Sequence, residues 1–156
     1  MSLSRFLFHL VLVVAVCWMG WQDWKTRQVS NWLSLPLGML GLVGLVHRFL
    51  HGDSLAPLSL FVISLLTIAA FRNWMGGADW KVLVGLWGLW TLGGLAALIG
   101  AGLWGMAEMI CTHDKNVSFP GIAAFAVSLL LTFVVEVSIM LDIGVIFPGK
   151  IAPFFV

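Results

Sequence analysis

Charge is what this chain has least of. Only 10% of its 156 residues are Asp, Glu, Lys or Arg, against roughly 25% in a soluble domain, and that scarcity excludes a water-soluble globule. With a net charge of +1 there is no basic field to attract nucleic acid and no acidic one to attract a basic partner. Cysteine is scarce too. Cys17 and Cys111 stand alone inside apolar runs, so neither a zinc ribbon nor a disulfide framework is supported, and both read as packing residues. The four histidines, His9, His47, His51 and His113, do not gather into metal-ligand spacing, and no metal or other cofactor is expected. Low-complexity linkers and soluble repeats are also lacking. The first twenty residues resemble a signal peptide, with an apolar stretch behind Arg5, but lack a small-x-small cleavage site. Val16 before Cys17 spoils a lipoprotein box, so the segment reads as a retained first helix.

What remains is apolar: 61% of residues are hydrophobic and the mean hydropathy is +1.05. Backbone groups in lipid must be satisfied internally, which makes spans of this composition helices. At about 20 residues per crossing the length admits around six. The expected fold is all-α, a polytopic membrane protein of about six transmembrane helices in one bundle. It is read as a single domain over residues 1–156, with a core of about 5–141 and a short apolar tail, 142–156, lying at the interface or against the bundle. The spans fall at about 6–22, 32–49, 55–72, 79–92, 95–110 and 119–141. Pro36 and Pro57 fall in first turns, where a missing N–H costs little. The run from Val82 to Ile110 is too long for one span, and Gly93-Gly94 is its natural break. The fourth helix is then about 14 residues, too few to cross alone at ~1.5 Å per residue.

Two polar interruptions carry carboxylates. Asp23 leads the first, a loop continuing to Asn31, and Asp79 lies in the second, Met75 to Lys81. Two complete crossings separate them, and an even number of crossings returns the chain to the same face. With the N-terminus outside, the cytoplasmic loops hold Lys25, Arg27, Arg72, Lys81 and Lys115, and the outer ends hold Arg5, Arg48 and Lys150. The positive-inside rule therefore favours cytoplasmic aspartates. Trp18, Trp21, Trp24, Trp32, Trp74 and Trp80 fall near that face, as an interfacial belt would.

Two carboxylates close together in a low-dielectric setting resist carrying two charges and can share one proton. Such a dyad can activate water with its charged member and protonate a leaving group with its neutral one. Alternatively Asp23 and Asp79 are helix ends in water, with Asp79 favoured by a helix N-terminus. From spacing alone both readings stand. Glu108, near the same face, either faces the site or snorkels to the interface. Glu136, deeper in the last span, must find a partner or sit at the outer boundary. His9 reads as a satisfied interior histidine.

The two interruptions carry a family resemblance. Asp23, Arg27, Val29 and Asn31, followed by Trp32-Leu33, resemble the D-x-x-x-[RK]-x-[IV]-[PS]-N stretch of type IV prepilin peptidases. Gly76-Gly77-Ala78-Asp79-Trp80-Lys81 resembles that family's G-x-G-D-x-K. Ser118 to Ala123 is similar, more weakly, to a later Pro-Phe-Gly-Pro-like segment. The likeness extends over roughly residues 5–141. It implies an aspartic endopeptidase of a prokaryotic cytoplasmic membrane, with Asp23 and Asp79 as the catalytic pair. Its substrates would be prepilin-like membrane proteins whose basic leader is removed, typically after a glycine, on the cytoplasmic side. Gly76 and Gly77 would allow close backbone approach, Lys81 would bias the dyad or anchor its span, and Arg27, Asn31 and Glu108 would support the site. Ala78 stands where the family usually has glycine, so a positive φ there would force a different turn. Ser30 occupies a position that is often proline. The cysteine-rich insert of longer members is missing, and their N-methylation activity is not carried over. The bilayer is the second expected partner, nucleic acid is not one, and a homo-oligomer is compatible with the sequence. Two other classes compete: a small proton- or cation-coupled transporter, whose carboxylates should lie near the midplane, and an inactive pilus-assembly subunit.

Overall fold

The computed structural model describes residues 3–113 and 121–146, which form six helices: α1 (Leu3–Thr26), α2 (Asn31–Leu50), α3 (Ala56–Phe71), α4 (Gly77–Leu89), α5 (Thr91–Thr112) and α6 (Gly121–Ile146). Among the described residues there is no strand. Helices α1, α2, α5 and α6 are long and apolar enough to cross a membrane. The burial pattern suits lipid as solvent. Val11, Val14 and Trp18 of α1 and Leu42, Val43 and Val46 of α2 are exposed, whereas Asp23, Ser34 and Ser59 are buried. Apolar side chains can face hydrocarbon at no cost, and polar groups must find partners inside.

Two layers meet at the centre. Helix α4 packs chiefly on α2, while α6 takes α1 on one flank and α5 on the other. Every residue of α4 from Val82 to Gly88 is buried, which explains why this helix is apolar all round. Its seam with α2 is backbone to backbone: a Cβ on Gly88 would collide with the Gly41 carbonyl. Small residues of this kind let membrane helices approach closely and gain dispersion energy that lipid cannot supply.

With 13 residues, α4 reaches only ~20 Å, short of the ~30 Å hydrocarbon thickness. Its C-terminal carbonyls therefore end inside the protein and need donors. Arg48, in the last turn of α2, supplies one: its guanidinium donates to the Trp87 carbonyl at 3.1 Å, to Ser59 Oγ at 3.2 Å and to Asp53 Oδ2 at 2.6 Å. One arginine thus closes the end of α4 and fixes the α2–α3 turn.

Several boundaries differ from expectation. The break after α4 falls at Trp90, whose backbone is extended (φ −148°, ψ 91°), and not at Gly93-Gly94. Those glycines lie inside α5, where a Cβ on Gly94 would stand 2.8 Å from the Trp87 ring. They let α5 fold back over the tryptophans, so their purpose is close packing and not helix breaking. Asp23 belongs to the last turn of α1 and does not lead a loop. The helix stops four residues later, at Arg27, which takes a left-handed φ of 54°, and Ser30 caps α2 by accepting from the Trp32 N–H. Pro36 is the sixth residue of α2, beyond its first turn, and removes one interior donor; Pro57 does sit in the first turn of α3. Helix α6 continues to Ile146, so the start of the expected tail is helical. Lys115, Ser118 to Pro120 and residues 147–156 lie outside the described residues.

Candidate active site

Asp23 arrives on α1 with its side chain only 9% exposed. Its Oδ2 accepts the backbone N–H of Ile122 at 3.0 Å. Ile122 is the second residue of α6, where helical N–H groups have no intrahelical partner. A carboxylate from α1 therefore satisfies one of the orphan donors of α6, and the dipole of α6 favours its charge.

Asp79 reaches the same turn from α4. It is the third residue of that helix, behind the N-cap Gly76, and the Gly76 backbone hydrogen-bonds its carboxylate. This is the reciprocal half of a capping box. The carboxylate also lies against Gly121, the first residue of α6. A Cβ on Gly121 would stand 2.9 Å from Asp79 Oδ1, and one on Gly76 would stand 2.9 Å from Oδ2. Two bare backbones leave the space that the carboxylate occupies. Asp23 is close enough for its charge to act directly on Asp79. The structure thus brings together Asp23, Gly76, Asp79, Gly121 and Ile122 where α1, α4 and α6 end or begin.

Gly77 stands apart, with open space where its side chain would be. Ala78 is an ordinary helical residue without positive φ, and its methyl packs against the core, so the local turn needs no glycine there. Lys81 points its ammonium at Asn31 Oδ1, 2.6 Å away. That bond ties the first turn of α4 to the first residue of α2, so the two polar interruptions are stitched directly. Arg27 ends α1 at the exposed surface one turn beyond Asp23. Glu108 is held by its own helix, accepting the Trp104 indole N–H at 2.9 Å. Trp104 in turn sets its ring edge-on to Trp24, with centroids 6.2 Å apart.

Gly121 and the Ile122 N–H are the contributions that sequence reasoning passed over. Residues 118–123 carry only a weak motif. A backbone donor has no side-chain signature, and only Pro120-Gly121 before an apolar run hinted at a helix start there. A cavity of about 370 Å³ opens from Asp79, Gly76 and Gly121 along the faces of α4, α5 and α6. No group of three or more His, Cys, Asp or Glu side chains among the described residues could hold a metal.

Glu136 and His9 lie far from this site. Glu136 Oε1 accepts the Trp90 indole N–H at 3.2 Å. His9 stacks on the Trp90 ring at 4.3 Å, and its Nδ1 is 3.3 Å from Glu136 Oε2, near enough to pair but not aligned as a hydrogen bond. Fifteen residues of α6 separate Glu136 from Gly121, or ~22 Å of helix.

Against known proteins, the model of the type IV leader peptidase family matches residues 10–147. Neither curated proteins nor solved structures gave a match.

Proposed function

The chain belongs to the type IV leader peptidase family, and on that premise we propose that it is an aspartic endopeptidase in which Asp23 and Asp79 act as one dyad. The supporting observation is that both carboxylates meet the first turn of α6, Asp23 at the Ile122 N–H and Asp79 against Gly121. Two neighbouring carboxylates in an apolar setting hold one proton between them. The charged member draws a proton from a bound water as the water oxygen attacks the scissile carbonyl. The protonated member hydrogen-bonds the carbonyl oxygen as negative charge gathers there, and a proton is then delivered to the departing amine. The C–N bond breaks, one carboxyl and one amine form, and the dyad regains its starting protonation. No nucleophilic side chain and no cofactor is required.

The substrate is a prepilin-like protein that carries a basic leader ahead of a hydrophobic helix and reaches the site through the bilayer. Cleavage takes place on the cytoplasmic side, for which the excess of Lys and Arg at the aspartate end argues. The site lies at one end of the bundle and not at mid-depth, which counts against a transporter's ion site. Co-expression with a prepilin-like substrate, followed by gel mobility, tests the reading. Wild type should release the leader, and Asp23→Asn and Asp79→Asn should each leave it intact while the protein still inserts. Normal processing by either variant would overturn it.

A further inference from the structure

Gly102 is a glycine without a packing reason. It lies in the middle of α5, where glycine weakens a helix relative to alanine, and its φ is not positive. Membrane helices often keep glycines so that neighbours can approach, and Gly100 on the same helix does so: a side chain there would run into Ser128. At Gly102 nothing lies within 4 Å of the place a Cβ would take. The bare position instead lines the cavity that begins at Asp79.

That cavity has a direction. Its polar end is Gly76, Asp79 and Gly121; from there it follows α5 past Gly105 and Gly102 to Leu98, with Leu83 and Phe125 as further walls. Seven residues of α5 from Gly105 to Leu98 cover ~10 Å, the reach of about three extended residues. A volume of about 370 Å³ is at the small end of ligand pockets, roughly 300–1,000 Å³. Beyond Asp79 the walls offer no charge to a lysine-rich leader, which belongs in water. What fits is the apolar side of the cut.

We propose that this groove is the subsite for the first apolar residues following the scissile bond, and that Gly102 sets its depth and hence the size of side chain admitted. The assignment rests on the aspartic-peptidase reading above and adds a specificity-determining position to it.

The test uses the full-length protein reconstituted in liposomes with synthetic transmembrane peptides. Each carries a lysine-rich leader, a glycine at the cut and a leucine-rich helix, with either Phe or Ala directly after the glycine. Gly102→Leu should lower kcat/KM for the Phe peptide about tenfold or more and for the Ala peptide less than about threefold, the scale on which apolar pockets discriminate size. Ala107→Leu, an equal gain in bulk on an exposed stretch of α5 outside the groove, should change neither. Equal losses on both peptides, or none on either, overturn the assignment. Gly102→Ala adds only a methyl in open space, so it guards against misfolding; it should give a smaller loss, about threefold, on the Phe peptide alone. A second measurement needs no turnover. A benzophenone residue placed directly after the glycine should cross-link wild type to the groove walls, at Leu83, at Phe125 or within residues 98–105, and labelling elsewhere overturns the groove. Cross-linking there without any cleavage by wild type keeps the groove and overturns the dyad. Cleavage with labelling elsewhere does the reverse.

Discussion

The two ends of α4 solve the same problem in opposite ways. Both bring polar groups into an apolar bundle, and both use a helix terminus to do it. At the C-terminal end the space is filled: Arg48 closes on Trp87, Ser59 and Asp53, and Trp90 is wedged between His9 and Glu136. At the N-terminal end the space is kept. Gly76 and Gly121 hold back so that Asp79 can sit between them, and a cavity opens from there. Side chains that answer one another make a clamp. Carboxylates that answer only backbone donors keep lone pairs for something else. The difference teaches which end leaves room beside its polar groups, as the proposed chemistry requires, and which closes around them to hold the short helix in place.

Exchanging the character of the two ends should separate activity from stability. Among these exchanges the largest effect is expected from Gly121→Val, which drives a branched side chain into the place of Asp79 Oδ1. Misplacing a reacting group by about 1 Å costs about a hundredfold in rate, so leader cleavage should fall by that order while thermal unfolding in detergent moves little. Next comes Arg48→Ala at the other end. It strips the Trp87 carbonyl and Asp53 of a charged donor and should cost about 2 kcal/mol of stability, read as a lowered unfolding temperature, with kcat on a short peptide nearly unchanged. Trp90→Phe keeps the ring stack but loses the bond to Glu136 and should cost about 1 kcal/mol.

The smallest effect is a pH dependence. The hydrogen bond from Arg48 holds the Asp53 carboxyl below the usual carboxylate range, helped by the Leu55 N–H. A depressed folded-state pKa contributes stability that is present above the unfolded value, about 4, and is lost as pH falls through the folded one. Asp53 is partly exposed, so solvent screening keeps this below ~1 kcal/mol. Asp53→Asn should flatten the acid limb of stability below about pH 4, and an unchanged acid limb would show that the Arg48 pair contributes nothing.

Legibility in the sequence followed the same division. Five apolar runs are plain from hydropathy, because lipid demands length and apolarity from a span, and the longest, Val82 to Ile110, has to hold two helices. The return of Asp23 and Asp79 to one end followed from counting crossings. The helix break did not, since Gly93-Gly94 looked like punctuation and proved to be packing against Trp87. Only tertiary contact tells those uses of glycine apart. Asp23 reads as the head of a loop because polar residues follow it, yet α1 runs on past it to Thr26. The first turn of α6, which gathers both carboxylates, was almost invisible: it contributes a backbone N–H and an absent side chain. The link between Lys81 and Asn31 spans fifty residues and had no local signal. Ala78 stands where a left-handed turn would need glycine, and the helical backbone there contains no such turn.

The most direct trial of the dyad is a double-substitution cycle on peptide cleavage by the reconstituted protein. If Asp23 and Asp79 share one proton and one water, Asp23→Asn and Asp79→Asn should each reduce kcat/KM by about a thousandfold or more. The double variant should then be no slower than either single one. Losses that multiply, or a single variant keeping more than about a tenth of wild-type kcat/KM, would mean that the two carboxylates work separately, and the account built on their convergence at α6 would fail.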